Sequence, residues 1–84
     1  MEVILMMTHR LVRLTKESAV EFVRTASHCD FDIDVANANV STYTVDAKSM
    51  LGVLGLDLST PLKVSYNGYD QDFEQFLEGN AVVA

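Results

Sequence analysis

The sequence is short of cysteine, of basic residues and of long apolar runs, and each shortage excludes a class of protein. Its single cysteine, Cys29, excludes an internal disulfide framework and a zinc site built from cysteines. Six lysines and arginines stand against twelve acids, for a formal charge of −6 at pH 7. So acidic a surface argues against nucleic acid and anionic membranes as partners. No apolar run approaches the roughly 20 residues that span a bilayer.

What the sequence does contain suits one small soluble domain, which we place at residues 1–84. Of its 84 residues 49% are hydrophobic and 21% are charged, a balance typical of globular rather than disordered chains. The first residues carry an acid where a secretory signal needs a base, and their apolar stretch is short. With one cysteine, these features predict a cytoplasmic protein.

The first third of the chain predicts a strand and a helix. Residues 3–8 form a short apolar run typical of a buried strand, and the polar and basic residues 9–14 are interpreted as a connection. An amphipathic helix follows, predicted to end at Ser27 or His28. Its apolar stripe, spaced i, i+3, i+4 and i+7, is Ala19, Phe22, Val23 and Ala26. Either Thr15 is its N-cap, or Ser18 is, with Glu21 completing a capping box.

The next segment predicts a hairpin. Acidic and apolar residues alternate along a half-buried antiparallel strand; they are Phe31, Asp32, Ile33, Asp34 and Val35. Residues 36–39 are the predicted turn, and residues 40–45 the predicted returning strand, because they are β-branched and aromatic. The acidic face lacks the glycine-assisted turn of a calcium loop, so we expect no metal and no cofactor there.

The remainder predicts a short helix, a strand and a final helix. Ser49 is the expected N-cap of the short helix, which Gly55 would end. Residues 62–66 are the expected strand, and Asp70 the cap of a helix that stops near Gly79. The order βαββαβα predicts an α+β fold: an open-faced β-sandwich with a four-stranded antiparallel sheet and three helices on one face.

This order, the length and the string at residues 47–54 together resemble the histidine-containing phosphocarrier protein (HPr) family of the bacterial sugar phosphotransferase system. Residues 48–54 are similar to the regulatory serine segment of Gram-positive members. The family's first helix and the leucine before it are matched by Leu14, Ala19, Phe22 and Val23. The resemblance covers roughly residues 3–77 and implies the open-faced fold and partners within the phosphotransferase system.

The chain differs from the family at the residues that carry out phosphoryl transfer in other members. There an active histidine follows the leucine, with an arginine two residues later and then a proline. Thr15 stands at the histidine position, Glu17 at the arginine position and Ser18 at the proline position. A threonine hydroxyl is a poor nucleophile without a base, and Glu17 would repel a phosphoryl group by ~4 kcal/mol at about 4 Å and an effective dielectric of 20. We therefore predict no catalytic residue, no histidine phosphotransfer and no enzymatic activity.

Other residues are candidates for chemistry or binding. His9 is a conceivable substitute for the missing histidine, whereas His28 is interpreted as structural or solvated and Cys29 as a small apolar residue where a helix joins a strand. The resemblance implies that Ser49 is a regulatory phosphorylation site, for which an N-cap position is electrostatically suited. It also implies a partner-binding surface, whose predicted residues are Val20, Arg24, Lys48, Met50, Leu51 and Leu54. On a helix of about two turns, Met50, Leu51, Val53 and Leu54 spread too widely for all to be buried, so we expect one or more to be exposed.

The sequence leaves three functions open. The first is a regulatory or adaptor protein of the HPr family, whose partners are phosphotransferase-system proteins, a serine kinase or a transcriptional regulator. The second is a true phosphocarrier of sugar uptake that uses an unexpected residue such as His9. The third is a diverged paralogue with a purely structural role.

Overall fold

The structure, a computed structural model, describes residues 7–40 and 42–82 and confirms the predicted fold class. Three helices lie on one face of a four-stranded antiparallel sheet with strand order β1-β4-β2-β3. The elements in chain order are β1 (Thr8–Val12), α1 (Lys16–Ser27), β2 (Ile33–Asn37), β3 (Val45–Asp46), α2 (Met50–Leu54), β4 (Leu62–Tyr66) and α3 (Gln71–Gly79).

Alternation along the central strand β4 separates a covered face from an open one. Leu62, Val64 and Tyr66 are buried under the helices, whereas Lys63 and Ser65 between them are partly exposed on the open face. The helices contribute the other half of the core. The predicted stripe of α1 is buried as expected, and Phe22 packs its ring 6.0 Å from that of Phe73 in α3.

The predicted start of the sheet is wrong in its position. Residues 3–6 of the predicted strand lie outside the described residues, and the predicted connection is largely strand β1. Val12 is fully buried, and Arg10 points to the helix side, where it pairs with Glu74 of α3 at 2.8 Å. His9 and Leu11 lie on the open face. This strand has an apolar leucine on its open face and an ion-paired arginine on its covered face, so its sequence does not show the alternation of polar and apolar residues that predicts a strand.

The predicted hairpin is also partly wrong. Strand β2 continues through Asn37 into the predicted turn. Residue 41 of the predicted returning strand lies outside the described residues, and of the described ones the strand contains Val45–Asp46. Val40 and Tyr43 are exposed, so their strand propensity meets no apolar surface to pack on. Asn37 also has a different role from the turn residue predicted. Its side-chain amide donates to the Asp57 carbonyl at 2.6 Å and accepts from the Asp57 N–H at 3.0 Å.

The later elements agree with the sequence predictions. Ser49 caps α2, Gly55 follows it as the C-cap, and Asp70 caps α3 by accepting the N–H of Phe73 at 2.9 Å. Helix α1 ends at Ser27, with His28 as its C-cap. Among the described residues, no helix is long and apolar enough to cross a membrane.

Candidate site at the start of helix α1 and on helix α2

The start of α1 is closed by a reciprocal capping box. The Thr15 hydroxyl accepts the backbone N–H of Ser18 at 3.1 Å, and the Ser18 hydroxyl accepts the backbone N–H of Thr15 at 2.8 Å. Both predicted cap residues therefore take part, with Thr15 as the N-cap and Ser18 as its partner three residues on. The Thr15 hydroxyl also lies 3.2 Å from the Ser18 hydroxyl. A hydroxyl is not a base that would activate threonine as a nucleophile.

Neither histidine lies beside Thr15. The His9 ring nitrogen Nδ1 is 2.8 Å from the Ser65 hydroxyl, on the open face of the sheet and away from the helices. His28 is at the opposite end of α1, where Nδ1 donates to the Arg24 carbonyl at 2.9 Å. The position of His28 agrees with its structural interpretation, and the position of His9 gives no support to a replacement for the missing imidazole.

Ser49 is exposed and caps the single short helix α2. Its hydroxyl accepts the backbone N–H of Gly52 at 3.2 Å. A Cβ at Gly52 would lie 3.2 Å from both the Ser49 hydroxyl and the Val45 Cβ, so glycine keeps the cap and the adjoining strand in close contact. Capping uses the hydroxyl as an acceptor only, and the side chain remains at the surface.

Helix α2 presents an apolar surface to solvent, as its spacing predicts. Leu51 is 87% exposed, Leu54 40% and Met50 37%, whereas Val53 is fully buried in the core. Val53 thus packs the helix onto the core, and the three other apolar side chains form a contiguous exposed group. We call Met50, Leu51 and Leu54 the α2 patch. Exposed apolar groups of this kind often mark protein-binding surfaces.

The polar residues predicted for the same surface have partners within the chain. The Lys48 ammonium donates to the Cys29 carbonyl at 2.9 Å and is half-buried, so it ties the start of α2 to the end of α1. Arg24 forms an exposed ion pair with Glu21 at 2.7 Å. Val20 is half-buried on α1. The structural contact of Lys48 has no signal in the sequence, because its partner is a backbone carbonyl nineteen positions away.

A groove of about 500 Å³ lies beside the α2 patch. It is lined by Lys16, Leu54, Leu56, Asp57 and Leu58. The sequence contains no signal for this groove, because its wall is the irregular connection between α2 and β4. Two side chains hold that connection in place: Asn37 bonds both the carbonyl and the N–H of Asp57, and the Arg13 guanidinium donates to the Ser59 carbonyl at 3.0 Å. Hydrogen bonds from the side chain and backbone of Ser59 lower the pKa of the Asp57 carboxyl.

Cys29 has none of the properties of a reactive thiol. Its side chain is buried, and burial is the main cause that raises the pKa of the thiol, with the nearby Asp70 carboxylate adding to it. A nucleophilic cysteine needs the opposite, a lowered pKa in an exposed and electropositive place. Within the described residues there is also no group of three or more His, Cys, Asp or Glu residues placed to hold a metal ion.

The fold and the site thus define a small α+β protein with a histidine-free first helix and an exposed apolar second helix. The sequence model for the PTS HPr component phosphorylation site matches residues 14–78, and the chain therefore belongs to the HPr family of the phosphotransferase system. A solved phosphocarrier protein HPr from Bacillus anthracis str. Ames is 26% identical and superposes with a TM-score of 0.60. The match covers 89% of this chain and 93% of that one. A comparison with curated proteins finds no match.

Proposed function

We propose that this chain is a regulatory or adaptor member of the HPr family that binds phosphotransferase-system proteins without passing on a phosphoryl group. It is not an enzyme on this proposal, and it acts in the cytoplasm together with its partners. The observation that supports it most is the capping box, in which the hydroxyl at the family's active-histidine position serves the helix backbone.

The chemistry of the α1 start explains why the proposal excludes histidine phosphotransfer. An imidazole near neutrality is a good nucleophile, and its phosphoramidate gives the phosphoryl group up again readily. A threonine ester is more stable and needs a base to form, and within residues 7–40 and 42–82 the one side-chain hydrogen-bond partner of the Thr15 hydroxyl is another hydroxyl. Glu17 lies exposed in the first turn of α1, where a cation would be needed to hold the phosphoryl dianion.

A restoration experiment tests this part of the proposal. Thr15→His, Glu17→Arg and Ser18→Pro, combined in one chain, recreate the family's residues at the start of α1. The combined variant is incubated with phosphoenolpyruvate and the system's first enzyme, in parallel with the wild-type chain. We expect acid-labile phosphoryl groups on the variant and none on the wild type. Labelling of the wild type at a rate similar to that of the variant would contradict the proposal.

The α2 patch is the proposed docking surface for partner proteins, together with Val20, Arg24 and Lys48. Burial of one leucine side chain contributes about 1.5–3 kcal/mol. Leu51 is 87% exposed in the free chain, so burying its side chain against a partner would contribute most of that free energy to binding. Leu51→Ala is therefore expected to weaken binding to phosphotransferase-system proteins about tenfold or more by calorimetry. Val40→Ala is the matched control, because Val40 is also exposed but lies outside the patch, and it should leave affinity unchanged.

Ser49 is the proposed regulatory phosphorylation site of this docking surface. It is exposed and immediately precedes the α2 patch, so an added phosphoryl group would change the charge next to the contact residues. Incubation with the family's serine kinase and ATP should add one phosphoryl group to the wild type and none to Ser49→Ala. An unmodified wild-type chain, beside an ordinary HPr that is modified in the same reaction, would remove the regulatory half of the proposal and leave the docking half standing.

A further inference from the structure

Helix α2 is too short to be stable without support from the rest of the chain. It has five residues, whereas isolated helices shorter than about 12–15 residues are marginal in water. Val53 fixes it to the core, and its first turn lies against β3, because a Cβ added at Gly52 would be 3.2 Å from the Val45 Cβ. The direction in which the α2 patch faces therefore depends on the contacts that hold this helix in place.

Lys48, two positions before the first residue of α2, is bonded to the end of α1. Its ammonium donates to the Cys29 carbonyl at 2.9 Å, and its backbone N–H donates to the Asp46 carboxylate at 2.9 Å. Cys29 directly follows His28, the C-cap of α1, and a cation is favoured there because the free carbonyls at a helix end carry partial negative charge. Among the described residues, the ammonium bond is the one hydrogen bond that joins residues 47–54 to the end of α1.

The burial of Lys48 differs from that of the α2 patch. The lysine is half-buried and its ammonium is bonded within the chain, whereas Leu51 and the other two members of the patch are exposed. To contact a partner, the ammonium would first have to leave the Cys29 carbonyl. A hydrogen bond to a charged group is among the stronger ones in proteins, so that exchange of partners is unfavourable.

We infer that Lys48 is a positioning residue of the docking surface. Its bond to the Cys29 carbonyl holds α2 so that the α2 patch is presented to a partner, and the ammonium keeps this bond in the complex. The inference rests on the docking function proposed above, and it gives Lys48 a supporting part in that surface while the α2 patch makes the contact.

Amide exchange in the free full-length chain tests the positioning role without any partner. Lys48→Met removes the ammonium and keeps most of the side chain, and Lys63→Met is the matched control, because Lys63 lies on the open face of the sheet. Loss of a hydrogen bond to a charged group should raise the local opening of α2 about tenfold. The amides of Val53 and Gly55, which bond within α2 and its caps, should exchange faster by that factor in Lys48→Met and at the wild-type rate in Lys63→Met.

Binding measurements complete the test. Lys48→Met should bind phosphotransferase-system proteins about tenfold more weakly. Lys48→Arg, whose guanidinium can donate to the same carbonyl, should restore both the exchange rates and the affinity. Unchanged exchange at Val53 and Gly55 in free Lys48→Met would overturn the positioning role, and weaker binding together with that unchanged exchange would assign Lys48 to direct contact with the partner. A wild-type chain that binds none of these proteins would refute the docking function, whereas the support of α2 by Lys48 is decided by the exchange rates alone.

Discussion

Replacing Thr15 by valine tests the assigned role of its hydroxyl, because valine keeps the shape of the side chain and removes the oxygen. The Ser18 N–H, now satisfied at 3.1 Å, loses its acceptor, and the reciprocal box is broken. Loss of an N-cap costs typically ~1 kcal/mol, within a range of about 0.5–2. In a domain of this size, ~1 kcal/mol lowers the Tm by roughly 4–8 °C. Thr15→Ser keeps the acceptor and should stay within about 0.5 kcal/mol of the wild type.

Urea unfolding followed by circular dichroism measures this effect directly. The midpoint should fall in Thr15→Val with an unchanged slope, since the surface exposed on unfolding is the same. Ser18→Ala breaks the other half of the box, so its effect should not add fully to that of Thr15→Val in the double variant. An unchanged midpoint in Thr15→Val would refute the capping role, and with it the argument that the hydroxyl serves the helix.

Two further predictions concern the core and its pH dependence. Gly68→Ala would place a Cβ 2.4 Å from the ring of Phe31, so thermal unfolding should show a loss of about 1–3 kcal/mol; Gly79→Ala, with nothing within 4 Å of its added Cβ, should be neutral or stabilising by up to ~1 kcal/mol. The pKa of Tyr66 is raised far above its ordinary value of 10.0, mainly because the phenol is buried and secondly because it donates a hydrogen bond to the Glu74 carboxylate at 2.5 Å. The stability from the folded phenol is complete below about pH 10 and is lost as the pH rises toward the folded pKa, and Tyr66→Phe should abolish that loss in alkaline unfolding curves.

Most of the fold could be predicted because apolar spacing and cap residues are local signals. The stripe of α1, the caps at Ser49 and Asp70 and the strand β4 each appear within a few neighbouring residues. The errors lie where distant contacts decide the structure. Strand β1 is defined by its antiparallel pairing with β4, from Thr8 opposite Tyr66 to Val12 opposite Leu62, and its Arg10 pairs with Glu74, 64 positions away in the chain. The end of β2 depends on Asn37 binding a connection 20 positions further on.

The candidate site, like the fold, could be predicted from the sequence only in part. The composition of the α1 start and the exposure of the α2 patch follow from residue identity and helical spacing. The groove does not, because its wall is irregular chain held by side-chain-to-backbone bonds from Asn37 and Arg13. Nor does the contact of Lys48 with the Cys29 carbonyl, since a lysine in sequence gives no indication of which carbonyl it will meet.

The central claim is that no side chain of this protein takes up a labile phosphoryl group. The most direct measurement is the intact mass of the wild-type chain after incubation with phosphoenolpyruvate, the first enzyme of the system and an ordinary HPr in the same tube, before and after mild acid. We expect the ordinary HPr to gain an acid-labile phosphoryl group while this chain keeps its mass. An acid-labile gain on this chain would contradict the account, and its disappearance in His9→Ala would show that the ring on the open face is the acceptor.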